Sequence, residues 1–287
     1  MKQSRGEKIF NIFNYILLGI LGFCTLYPFL NVLTMSLTSA ADIAKVGLKI
    51  IPTNPDFSGY RKIFQNRYLL TGYKNTIIRT ILGTSINVTL SAMLAYPLSK
   101  KYLPNRNFWI SIIVFTMFFS GGLIPSYLLI QRLKLNNTIW ALVLPGAINT
   151  FNMIIIRNYF MTIPDSLEES AKIDGANDFV ILFKVVVPLS LPILATTVLW
   201  TIVGHWNAWF DAMLYITDSK KQVLQAILRQ IVIVGTTAQL EFDAHMYASP
   251  EAIKSATIIV CTLPIVMVYP FVQKYFIKGI MIGSLKG

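Results

Sequence analysis

Charged side chains are scarce in this chain: Asp, Glu, Lys and Arg make up 13% of its 287 residues, about half the share of an ordinary soluble domain. Cysteine is scarcer still. Only Cys24 and Cys261 occur, both in apolar stretches without Cys or His at ligand spacing, which argues against a disulfide framework or a zinc site and for small core residues. His205 and His245 are far apart and offer no metal pair. No G-x-x-x-x-G-K-[ST] phosphate loop is present, so ATP hydrolysis by that mechanism is not expected within the chain. No clustered nucleophile, metal set or acid/base pair stands in the apolar stretches, and no internal repeat stands out. The net charge of +12 comes from basic residues that never form a run longer than two. That pattern fits solvated loops and headgroup contacts and gives no nucleic-acid partner.

What is abundant is apolar sequence, 54% of the chain. Stretches free of charge occupy residues 9–41, 80–99, 107–131, 135–156, 185–210 and 255–273. A helix needs about 20 such residues to cross the hydrocarbon core. The pattern therefore predicts an all-α integral membrane protein, one domain over residues 1–287. Its six transmembrane helices fall at approximately 9–38, 72–99, 107–131, 137–160, 186–216 and 254–276. The first run is too long for a signal peptide and carries Tyr27, Pro28 and Phe29 where a cleavage site would stand. An even number of crossings puts both termini on one side, and Lys2, Arg5 and Lys8 assign that side to the cytoplasm. Counted over all segments with that orientation, twelve Lys and Arg fall on the cytoplasmic side and twelve outside, with Arg79 at a span edge, so the wider count adds nothing.

Several spans hold helix-weakening residues: Gly121, Gly122 and Pro125, then Pro145 and Gly146, then Pro188 and Pro192, then Pro264 and Pro270. Such breaks persist in lipid only where neighbouring helices or a wet cavity satisfy the freed backbone groups. Between the first two spans, Asp56 and Ser58 can cap a short amphipathic helix with Tyr60, Ile63 and Phe64 on its apolar side. "VLQAILRQIVIV" is interrupted by Arg229 and reads as an interfacial or re-entrant helix.

The acidic residues concentrate between spans four and five. Five of the thirteen, Asp165, Glu168, Glu169, Asp174 and Asp178, fall in "IPDSLEESAKIDGANDFVILFKVVVPLSLP". The loop, residues 162–188, reads as two short helices. Asp165 is expected to cap the first with Glu168 as its capping-box partner. Gly175 ends that helix in the left-handed conformation, and Asp178 starts the next, which runs to Pro188. Ser170, Ala171 and Ala176 leave a slim surface that another protein could clasp.

At this point the sequence resembles a known signature. Permeases of ATP-binding-cassette (ABC) importers carry Glu-Ala-Ala, three residues, Gly, nine residues, then Ile-x-Leu-Pro. Here stand Glu169-Ser170-Ala171, Gly175 and Val185-x-Val187-Pro188 at the same intervals. "GGLIPSYLLI", "LPGAINTFNMIIIRNYF", "HWNAWFDAMLYI" and "KGIMIGSLKG" extend the resemblance over most of the chain. They make it similar to the carbohydrate-uptake permeases, specifically the six-span partner of maltose-type systems. Within these it looks most like Gram-positive permeases for oligosaccharides and polysaccharides.

The resemblance implies a type I ABC importer permease fold in a bacterial plasma membrane. The ATPase-coupling surface would include Glu169, Ser170, Ala171, Asp174, Gly175 and Pro188. In that picture Glu169 pairs with a basic residue of the ATPase, Gly175 allows the turn, and Pro188 fixes the entry to span five. Expected partners are a second homologous permease, two ATPase subunits that bind ATP and Mg, and an extracellular solute-binding protein. That protein could touch Glu241, Asp243 or the helix near Tyr60. The tail, 283–287, is implied to reach between the ATPases.

For the solute path, "GHWNAWFDAMLYI" places Trp206, Asn207, Trp209 and Asp211 near the outer half of span five. Aromatic faces pack on the CH patches of sugars, while amides and carboxylates bind hydroxyls. The competing assignments are an aromatic belt or packing for the tryptophans and interhelical hydrogen bonds for Asn207 and Asp211. Asn149 and Asn152 are lesser candidates. An ABC permease for a non-sugar solute and an ion-coupled secondary transporter remain as alternatives. The latter would place charged or broken-helix pairs near the midplane of related halves, and neither is evident.

Overall fold

The computed structural model describes the backbone of residues 4–39, 42, 51–52, 54–234 and 250–284, and their side chains except 234, 269 and 271–284. In chain order the helices are α1 Arg5–Ser36, α2 Ser58–Gln65, α3 Arg67–Ser99, α4 Arg106–Phe118, α5 Leu123–Arg132, α6 Trp140–Val143 and α7 Thr150–Phe160. There follow α8 Asp165–Ile173, α9 Asp178–Ile181, α10 Val187–Leu189, α11 Leu191–Asn207, α12 Phe210–Tyr215, α13 Leu224–Arg229 and α14 Pro250–Ser284. Among the described residues there is no strand, only an isolated bridge between Thr38 and Pro55. The fold is all-α, as the apolar runs predict.

Two compact units divide the chain: residues 1–69 with 230–263, and residues 70–229 with 264–287. In the first, Ser4 caps α1 by an exchange in which its hydroxyl accepts from the Glu7 N–H at 3.2 Å and its own N–H donates to the Glu7 carboxylate at 2.8 Å. Beyond the cap, α1 exposes apolar side chains on every side, Phe10, Phe13, Tyr15 and Phe23 among them. A helix apolar all round is solvated by lipid or covered by another chain. The short helix expected after Asp56 is α2. Tyr60 and Ser36 hydroxyls meet at 2.7 Å and Ile63 is buried, whereas Phe64 points outward, 57% exposed. Gly59 lies so close to Ala252 that a Cβ would stand 3.4 Å from its carbonyl oxygen.

Among the described residues of the second unit, two cores stand out. One joins Ala92, Ala95, Tyr96 and Leu98 of α3 to Met153, Ile156 and Phe160 of α7, with Ile181, Val186 and Leu194. The other gathers Ile130, Leu142, Ala212, Tyr215, Val223 and Ala226. The latter gives "VLQAILRQIVIV" its place: its first helix, α13, is packed through Ala226.

Among the described residues, three helical stretches are long and apolar enough to cross a membrane: Arg5–Ser36, Arg67–Ser99 and Pro250–Val268. Three bent pairs bring the number to six if each is one span. The stretches expected as single helices at 107–131, 137–160 and 186–216 are therefore each broken. α4 and α5 meet at 104° around Gly122, whose φ of +86° favours glycine. The 49° bend at Trp140–Gly146 and Thr150–Phe160 follows the tight turn Leu144–Gly146, which contains Pro145. The 86° bend between Asp178–Leu189 and Leu191–Asn207 lies at Ser190, flanked by Pro188 and Pro192. A further break at Ala208 and Trp209 separates α11 from α12. Glu241, Asp243 and 285–287 lie outside the described residues.

Candidate functional site

The acidic loop folds into a helical hairpin. α8 ends where Gly175 takes φ +82°, with the Gly175 N–H donating to the Lys172 carbonyl at 3.0 Å and the Ala176 N–H to the Ala171 carbonyl at 2.9 Å. This double closure satisfies two carbonyls that the helix end would otherwise leave bare. Two details differ from expectation. Pro164 occupies the N-cap and Asp165 is the first helical residue, so no capping box forms. The next helix is capped by Asn177, whose side chain accepts from the Val180 N–H at 2.9 Å, with Asp178 inside it. From there the chain widens through a π turn at Leu182–Val186 before reaching Pro188.

Burial sorts the faces of α8. Glu168 is buried at 5% and Ala171 is half-buried against the core. Glu169, Ser170, Asp174, Gly175 and Pro188 are all exposed, and Ile173 is 87% exposed. The outward face is thus acidic and small-residued with two projecting apolar side chains, Leu167 and Ile173, a surface another protein can cover.

Glu168 has a different duty from the local one its spacing suggests. Its carboxylate forms an ion pair with Lys100, immediately beyond α3, and both side chains are only 7% exposed. The second carboxylate oxygen accepts from the Tyr96 hydroxyl at 3.4 Å, and the Lys100 ammonium stands 4.6 Å from the Tyr96 ring centre. Removing one partner from such a buried pair costs about 3–5 kcal/mol. Lys100 and Tyr96 carry no sequence signal of this role, because the pairing spans 68 residues.

Along α3 and α11 runs a polar seam. Arg79, 2% exposed, donates to the Ala208 carbonyl at 3.1 Å and pairs with Asp211. His205 packs so closely on Gly83 that a Cβ there would lie 2.3 Å from its Nε2. Asn87 donates to the Gly146 carbonyl at 2.8 Å, satisfying a backbone group freed by the break there. Asn152 donates to the Thr201 hydroxyl at 3.3 Å, and Asn149 caps α7.

The four path candidates therefore differ in surroundings. Trp206 is buried edge-on to Tyr73, with ring centres 6.3 Å apart. Asn207 is exposed. Trp209 carries the Arg229 guanidinium 3.6 Å from its ring centre, and Asp211 is engaged by Arg79. Arg79 was legible as a lone charge in an apolar helix, a position that calls for a partner.

Comparison with known proteins places the chain among components of transport systems. The family model described as "Binding-protein-dependent transport system inner membrane component" matches residues 69–282. Protein LplC of Bacillus subtilis is 40% identical over 100% of this chain and 98% of its own length. The polygalacturonan/rhamnogalacturonan transport system permease protein YtcP of Bacillus subtilis is 42% identical over 98% of this chain and 99% of its own. Among solved structures, a chain of a bacterial ABC transporter involved in the import of the acidic polysaccharide alginate superposes with a TM-score of 0.88 at 36% identity. That match covers 96% of this chain and 99% of the other.

Proposed function

Because this chain belongs to the family of binding-protein-dependent transport system inner membrane components, we propose that it forms, with a second permease, the path of an oligosaccharide importer driven by separate ATPases docked on α8. It is an ABC importer permease, a transport subunit of the membrane. The oligosaccharide assignment draws on the relatives, whose named cargoes include polygalacturonan, rhamnogalacturonan and alginate. The single observation that carries the docking is the division of α8 into an anchored face, Glu168 and Ala171, and a bare face, Glu169, Ser170, Ile173 and Asp174.

In this reading the loop 162–188 and both termini face the cytoplasm, and the ATPases bind ATP and Mg. Glu169 meets a basic residue of an ATPase, and Pro188 and Gly175 hold the hairpin in shape. The exposed apolar surface of α1 and of the bent pair α4–α5 would be covered by lipid and the second permease. An extracellular binding protein delivers the sugar. Asn207 and Trp209 present polar and aromatic groups to it, with Trp206 and Asp211 holding them in place.

The test uses the assembled importer in proteoliposomes. Glu169→Lys and Gly175→Asp are expected to sharply lower recovery of the ATPases on a tagged chain, and with it ATP-dependent uptake. Wild-type recovery and uptake in both variants would reject the docking. Substrate class is read by offering acidic and neutral oligosaccharides beside amino acids and phosphate. ATP-dependent uptake confined to the last two would overturn the sugar assignment.

A further inference from the structure

We propose that the buried Lys100–Glu168 ion pair, closed by the Tyr96 hydroxyl, locks α8 and α3 into one moving body, so that displacement of the docking helix is delivered to α3. The proposal rests on the reading of α8 as the ATPase-docking element. Two adjacent carboxylates of α8 have opposite duties: Glu169 faces outward, while Glu168 is 5% exposed and turned into the bundle. Successive helical residues point about 100° apart, so one helix can present both faces at once.

Three observations set this contact apart from ordinary packing. Both charged side chains are enclosed, and each oxygen of Glu168 has its own donor, Lys100 and Tyr96. Beside the pair lies a cleft of about 320 Å³, bordered by Met93, Tyr96 and Tyr102 on one side and Asp178 and Phe179 on the other. Apolar packing is incomplete there, and directional bonds set the alignment. A cation of α8 itself, Lys172, stands 5.0 Å from the Tyr102 ring centre, strapping the same helix to the segment that follows α3.

Buried ion pairs are weak contributors to stability when apolar residues of similar volume could replace them, and their best-attested use is to fix register. Apolar surfaces slide over one another at little cost. A carboxylate held by two donors does not. Glu168, Lys100 and Tyr96 are thus positioning residues.

The experiment reads relative motion directly, in the full importer with its ATPases attached. Nitroxide labels at exposed Ser166 of α8 and at Leu90 of α3 report their distance with and without ATP and vanadate. In the otherwise unaltered chain the distribution is expected to stay single and unshifted. In Lys100→Met/Glu168→Met, which removes the pair without leaving a buried charge, it is expected to shift and broaden on trapping while the ATPases remain bound. The swap Lys100→Glu/Glu168→Lys is expected to restore the single distance.

A shift in the otherwise unaltered chain overturns the proposal. So does an unshifted distance in the double-Met variant, or a swap no better than it. Loss of the ATPases from the double-Met variant would show a merely structural pair and overturn it too. Failure of the docking reading is seen separately, as ATPases that stay bound when Glu169 becomes Lys.

Discussion

Arg79 and Asp211, 132 residues apart in the chain, close an ion pair in which the guanidinium is 3% exposed and the carboxylate 30%. α3 is thereby tied to the start of α12, and Arg79 also donates to the Ala208 carbonyl in the break just before it. The expected consequence concerns stability first. Asp211→Ala leaves the arginine charge enclosed without its partner and is predicted to cost about 3 kcal/mol, the low end for buried pairs because water reaches the carboxylate. Arg79→Met/Asp211→Leu should recover most of that loss. The thermal midpoint of the detergent-purified chain checks it, and a single variant as stable as the double would contradict it.

Gly83 and His205 form a second close pair. Gly83→Ala places a methyl group where the imidazole stands and is predicted to destabilise by about 1–3 kcal/mol through overpacking. His205→Ser should relieve part of this, giving a coupling of at least about 1 kcal/mol in the double-mutant cycle. Additive effects in thermal unfolding would show that the two do not share the space.

Gly175 should be sensitive to backbone conformation rather than to volume. A Cβ there meets open space, yet φ is +82°. Gly175→Ala is predicted to cost about 1 kcal/mol, and Gly175→Asn less, since Asn tolerates the left-handed region. Uptake should follow the order Gly, Asn, Ala, Val. A fully active valine variant would show that α8 ends equally well in another conformation.

Asn207 and Trp206 are predicted to fail in different ways. Trp206→Ala empties a buried site packed on Tyr73 and should cost about 3–5 kcal/mol, so that uptake falls with the amount of folded chain. Asn207→Ala, at an exposed position, should leave the thermal midpoint unchanged and raise the substrate concentration for half-maximal uptake. Unaltered uptake by Asn207→Ala would remove it from the path.

The elements that sequence reading found are those whose signal is local. Gly175 announces a helix end because only a residue without Cβ enters the left-handed region freely, and the density of Asp and Glu around it marks a solvated hairpin. Long uncharged runs announce α1 and α3. The pairings escaped because each partner has an adequate local explanation. Glu168 sits where a capping box would use it, Lys100 looks like a loop cation beside Lys101, and Asp211 looks like a polar group free to meet solute. Their partners lie in other helices, and spacing along the chain does not encode which helices touch. The helix breaks were visible as Gly122, Pro145 and Pro188, but the bend angles depend on the packing on either side.

The right-angle elbow at Ser190 has a mechanical corollary. With 86° between Asp178–Leu189 and Leu191–Asn207, a thrust along the first axis has a component of only cos 86°, about 0.07, along the second. Pro188, fully enclosed Ser190 and Pro192 hold that joint. A displacement of Asp178–Leu189 along its own axis would therefore reach α11 almost wholly as a sideways swing, a tilt rather than a piston stroke.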